Sequence, residues 1–151
     1  MEKIRVYLDN CCYNRPFDDQ LQVRVSLETQ AKLHIQEKIK NKEIELAVSF
    51  ISRYENNENP DMISGISIAD FFHRASIYIG ADNFADICSK ADELMKTNIK
   101  MKDAVHLACA IKAKCNYFLT TDDKLIKRYC EKEIIVCNPI TFLQLTGDSY
   151  A

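Results

Sequence analysis

The chain has 151 residues, enough for one domain with a core of its own, and its 47% hydrophobic and 28% charged residues match an ordinary soluble globular protein. A net charge of −2 gives no basic footprint, so composition does not announce a nucleic-acid binder. It does not exclude one either, because bound cations reverse the local sign of an acidic site.

The seven cysteines, at 11, 12, 88, 109, 115, 130 and 137, are odd in number and form no C-x-x-C pair. That spacing argues against a disulfide framework and against a zinc site, and predicts reduced, structural thiols in a cytoplasmic protein. The first residues carry no basic-then-apolar leader, and no apolar run approaches the ~18 residues that span a bilayer. A soluble protein with no membrane partner is the expectation.

In chain order, residues 3–8 alternate and are rich in β-formers, predicting a strand that ends at Asp9. From Arg24 to Lys40 apolar positions recur near helical spacing. Residues 43–49, "EIELAVS", read as a second strand, followed by a short helix that Pro60 stops. Residues 61–75 and 82–97 read as helices, with "SIYIG" between them left open. "KDAVHLACAIKAKC" (102–115) is apolar almost all round, which marks a central buried helix. "NYFLT" (116–120) and "EIIVC" (133–137) read as strands on either side of a helix, and Pro139 opens a last short helix. With no repeat, linker or low-complexity tract, residues 1–151 read as one domain. Strands separated by helices imply crossover connections, hence an α/β three-layer sandwich with a central parallel sheet flanked by helices.

Four acids fall where such a sheet binds ligands, outside the carboxyl ends of its strands. Asp9 ends the first strand, Asp122 stands just past "NYFLTT", and Glu55 lies on the helix after the second strand. Asp103 opens the buried helix, three residues before His106 and on the same face. Carboxylates gathered closely raise one another's pKa unless a cation sits among them. A hard divalent ion, Mg²⁺ or Mn²⁺, takes oxygen ligands and commonly binds substrate phosphate as well. Each residue also has a plainer reading. Asp9 can be a strand-end turn residue, Asp122 the N-cap of its helix, and Asp103 a helix-start acid favoured by the dipole. Glu55 can be a solvated acid, Asp123 a solvated first-turn acid, and His106 a hydrogen-bonded core histidine. Their joint placement is what points to a site.

The stretches "YLDNCCYNRPFDD" (7–19), "DAVHLACA" (103–110) and "FLTTDDKLIK" (118–127), with "YENNENP" (54–60) more loosely, resemble the PIN-domain family of metal-dependent ribonucleases. That family includes the VapC-like toxins of toxin–antitoxin pairs, and the resemblance covers nearly the whole chain. It implies a site built from Asp9, Glu55 (with Glu58 as the alternative), Asp103 and Asp122. Asp9, Asp103 and Asp122 would hold the metal, and Glu55 would be a further ligand or orient the attacking water. Thr120 would orient Asp122 through a hydrogen bond, with Asn10 standing beside Asp9. Many members carry Thr or Ser where this chain has Asn10, and the extended 10–20 loop, whose Arg15 could meet a phosphate, looks like a trait of a sub-branch. The resemblance further implies an RNA substrate, a homodimer, and an antitoxin partner if the role is that of a toxin. A non-catalytic module binding RNA or protein is the competing expectation. An Asp-x-Asp phosphatase is disfavoured because Cys11 takes the second acid's place. A phosphate loop is disfavoured because no Gly-rich strand-to-helix turn exists.

Overall fold

The computed structural model describes residues 2–147. Its strands are β1 (Arg5–Leu8), β2 (Glu45–Ser49), β3 (Ile77–Ile79), β4 (Tyr117–Leu119) and β5 (Ile135–Cys137). They form one five-stranded sheet in the order β3-β2-β1-β4-β5, and every pairing is parallel. Its helices are α1 (Asn10–Asn14), α2 (Val23–Lys40), α3 (Phe50–Asn57), α4 (Met62–Phe71), α5 (Phe84–Met95), α6 (Met101–Lys112), α7 (Asp123–Arg128) and α8 (Pro139–Leu145). This is the α/β sandwich with a central parallel sheet that the strand–helix alternation predicts.

Strand periodicity builds the layers. Along β1, Val6 and Leu8 turn to one face and pack with Ala31, Ile35 and Ile39 of α2 and with Phe142 and Leu143 of α8. Tyr7 turns to the other face and joins Leu94 of α5, Leu107 and Ala108 of α6 and Phe118 of β4. Because β1 is covered on both faces, Val6, Tyr7 and Leu8 are all buried rather than alternating with exposed polar residues. Small residues on α6 (Ala104, Ala108, Ala110) are fully buried and let that helix lie close to the sheet.

Three stretches differ from the sequence reading. "SIYIG" contains β3, an edge strand held in register with β2 through Ala47↔Ile77 and Ser49↔Ile79. The segment read as an extended loop from residue 10 winds into α1 and a 3-10 turn, Arg15–Phe17. The helices read over 61–75 and 82–97 are shorter, because each is tightened into 3-10 geometry at one end, Phe72–Arg74 and Ala81–Asn83.

The order of the strands fixes where a site can form. From β1 the chain builds outward through β2 to β3, then returns across the sheet to place β4 on the other side of β1. The crossovers leaving β1 and β4 therefore diverge, opening a crevice at the carboxyl ends of these two strands.

Candidate active site

Asp9 sits at that crevice and is buried, about 9% exposed. Its backbone N–H donates to the Leu119 carbonyl (2.9 Å), so the β1–β4 pairing carries on to the last residue before the turn. Its carboxylate is then pinned from two sides. Oδ1 accepts from the Asn10 backbone N–H (2.8 Å), which caps α1, and Oδ2 accepts from the Thr120 hydroxyl (2.8 Å). The Cys11 thiol approaches Oδ2 more distantly, at 3.6 Å.

Thr120 is fully buried at the end of β4, and its role differs from the one the family resemblance implies. Its hydroxyl donates to Asp9, and its oxygen accepts from the Asp122 backbone N–H (3.1 Å). It thus orients the Asp9 side chain and only the backbone of Asp122. The Asp122 carboxylate is held instead by its own helix, with Oδ1 capping α7 through Lys124 and Leu125 N–H (3.0 and 3.4 Å). The capping reading of Asp122 is therefore correct, and it leaves Oδ2 without a protein donor.

Asp103 stands half-buried in the first turn of α6 and makes no hydrogen bond within the described residues. Burial raises its pKa first, and the negative charges of Asp9 and Asp122 raise it further, while His106 and Lys100 pull the other way. Asp103 thus feels the charge of two acids that other elements hold.

Glu55 reaches the same side from α3. Its Oε1 accepts from His106 Nε2, and Lys102 Nζ lies 3.6 Å from Oε2. Burial pushes the Glu55 carboxyl up, but the hydrogen bond and charge of His106, aided by Lys102, outweigh it and leave its pKa lowered. His106 is buried, as a core histidine should be, but its two ring nitrogens are both engaged. A carboxylate can only accept, so Nε2 carries the proton, and in the neutral ring Nδ1 accepts from the Tyr7 hydroxyl at 2.6 Å. Tyr7 in turn meets Ser49 Oγ at 2.6 Å and Ser52 Oγ at 3.0 Å. A chain of buried polar groups therefore runs from the core to Glu55. Sequence reading saw His106 without its link to Tyr7, because the two residues lie 99 positions apart and nothing local couples them.

Glu58, one turn beyond Glu55, is exposed and makes no hydrogen bond or ion pair among the described residues. Asn10 holds Asp9 through its backbone, while its side chain lines a cleft of about 480 Å³ that also includes Glu55, Glu58 and Lys102. Asp123, read as a solvated acid, and Arg15, read as able to meet a phosphate, are both ion-paired. Asp123 is bridged by Arg24 at 2.7 Å. Arg15 joins Asp18 and the wholly buried Glu28 of α2.

Among the described residues, no three His, Cys, Asp or Glu side chains come together as a group that could hold a metal ion. The groups facing the crevice are carboxylate oxygens, and Asp103 among them is unpartnered and opposed by two like charges. All seven cysteines are free, and Cys109, Cys115 and Cys137 are buried in the core. No helix among the described residues is long and apolar enough to cross a membrane. No family model matches this chain, and no curated protein matches it.

Proposed function

We propose that the chain is a Mg²⁺- or Mn²⁺-dependent endoribonuclease of PIN type. The observation that carries this reading is the placement of Asp9 after β1, Asp122 at the start of α7 and Asp103 in the first turn of α6, with Asp9 and Asp122 both raising the pKa of Asp103. Acids brought together without a cation oppose their own ionisation. Such a cluster at a strand-end crevice favours a cation-dependent role over a structural one.

Asp9, Asp103 and Asp122 would hold the ion. When bound, it supplies positive charge to a phosphodiester and lowers the pKa of a water. The chain's own residues do the remainder. Thr120 and the Asn10 N–H fix Asp9 so that ion and substrate meet a rigid ligand. His106 and Lys102 keep Glu55 ionised, and Oε2, only loosely paired at 3.6 Å, is the oxygen available to accept a hydrogen bond from the attacking water. Lys102, whose Nζ lies 3.6 Å from Glu55 Oε2, places one positive charge beside the acids. A homodimer, and an antitoxin that would cover this acidic crevice, belong to the same reading. So does a cytoplasmic location.

The test is calorimetry with Mn²⁺ on wild type and Asp9→Asn, alongside cleavage of a mixed RNA pool. Binding and cleavage in the wild type, both lost in the variant, support the reading. The alternative, a non-catalytic module that binds RNA or protein, is favoured by the absence, among the described residues, of a group that could hold a metal ion. A folded wild type that takes up no Mn²⁺ and cuts nothing would establish that alternative.

A further inference from the structure

The cleft beside the acids raises a separate question, because its chemistry is not that of a phosphate site. Its volume of about 480 Å³ lies in the range of small-ligand sites. Lys102 is its one cation, against the carboxylates of Asp18, Glu55, Glu58 and Asp61. A polyphosphate or a backbone run would be repelled there.

Most of these polar groups are already committed. Asp18 pairs with Arg15 at 2.8 Å. Asp61 caps α4 through the Ile63 N–H and accepts from the Ser64 hydroxyl. Glu55 is held by His106 and Lys102. The amides of Asn14 and Asn59 bond to each other at 3.2 Å; Asn14 also donates to the Asn10 carbonyl, and Asn59 accepts from the Asp61 N–H. They make a fixed wall rather than free reading groups. Among the described residues, the Glu58 carboxylate and the Asn10 side-chain amide remain without a hydrogen-bond partner. Two aromatic rings, Phe17 (46% exposed) and Tyr54 (59%), line the same space and face solvent without covering any core.

Rigid walls, two open aromatic faces and one free acceptor-only group describe a receptor for a flat, apolar-faced ligand that carries hydrogen-bond donors on its edge. We propose that this cleft is a subsite for one unstacked guanine base of the RNA strand, stacked on Tyr54 and Phe17 and read by Glu58. The two oxygens of Glu58 match the adjacent N1–H and N2–H donors of guanine, a bidentate pair. Uracil presents one N–H flanked by two carbonyls, which a carboxylate repels. Adenine and cytosine each offer a single amino group beside an acceptor. The base must leave its stack to enter, so the strand taken is single-stranded. This subsite deepens the nuclease reading and rests on it for the identity of the strand as RNA.

The test uses full-length protein carrying Asp103→Asn, so that binding is read without cutting, in Mg²⁺ buffer with end-labelled UUUGUUU and UUUUUUU. Fluorescence anisotropy should show the guanine-containing strand bound about tenfold more tightly, the discrimination a bidentate contact typically gives. Adding Glu58→Gln, which replaces one acceptor oxygen by a donor, should erase most of that preference. Tyr54→Ala should weaken both strands by about tenfold, through lost stacking. Both side chains are exposed, so the variants should fold as the parent does. Equal affinity for the two strands, no binding of either, or a preference that survives Glu58→Gln would overturn the subsite. Failure of the nuclease reading looks different. Wild type that prefers the guanine strand but cuts neither keeps the subsite and loses the enzyme, and wild type that cuts both strands while binding them equally does the reverse.

Discussion

At the scale of single residues, two groups carry testable consequences. Asp103 has its pKa raised by burial and then by Asp9 and Asp122, above the value of an unfolded aspartate, about 3.9. Its protonated form therefore favours the fold at low pH, and that contribution is lost as pH rises through the folded value. In metal-free protein at pH 7, Asp103→Asn should melt at a higher temperature than wild type, with the gap closing as pH falls toward 4. The same variant should lose cleavage by a factor on the order of 10² or more. Thermal melts across pH with a chelator present test the first statement; equal melting temperatures at pH 7 would show that Asp103 does not sense its neighbours. His106 acts through Glu55. His106→Leu removes that partner and takes Nδ1 from the buried Tyr7 hydroxyl, so it should cost roughly 2 kcal/mol in urea unfolding. It should also lower kcat by about 10–100-fold with little change in KM. His106→Gln, which keeps a donor toward Glu55, should recover part of the activity. A loss in KM alone would place His106 in substrate binding instead.

At the scale of elements, the chain's shortage of glycine leaves a mark. Lys42, Asn98 and Lys114 follow the ends of α2, α5 and α6 with φ of 61°, 70° and 60°, the left-handed conformation that glycine takes without cost. Lys114 N–H donates to the Ile111 carbonyl and Cys115 N–H to that of Ala110, so the turn that feeds β4 depends on this geometry. Lys114→Gly should stabilise the protein by about 1 kcal/mol, measured as a shift in urea midpoint at unchanged slope. The same scale shows what sequence reading can see. β1, β2, β4 and β5 were legible because each is a short run rich in apolar and β-forming residues, and α6 because it is apolar almost all round. β3 was not, since three residues at a sheet edge carry too short a period, and Tyr78 there is exposed. α1 was hidden because its five residues, "NCCYN", have no amphipathic repeat, and only the Asp9 cap announces it. Of the site, the positions of Asp9, Asp103 and Asp122 could be read from strand and helix ends. The Thr120–Asp9 bond could not, because it joins residues 111 apart through strand adjacency.

At the scale of the whole molecule, an acidic crevice on a chain of net charge −2 should respond to cations more than to ionic strength. An ion that binds only the folded state stabilises it by about 2.7 kcal/mol at a concentration one hundred times its dissociation constant. Mn²⁺ should therefore raise the melting temperature of wild type in a saturable way that EDTA reverses, while Asp9→Asn and Asp103→Asn gain little. A gain of equal size in all three proteins would mean that the ion binds elsewhere.

The strand order has a further consequence, for timing. The central strand of the sheet is β1, with β4 beside it, and Asp9 makes its bonds across that pairing to Leu119 and Thr120. A ribosome releasing this chain from its N-terminus delivers Asp9 first and Thr120 more than a hundred residues later. Until then β1 has only β2 and β3 on one side, and the crevice has one wall. On the proposed reading, the site is complete only once β4 has paired with β1.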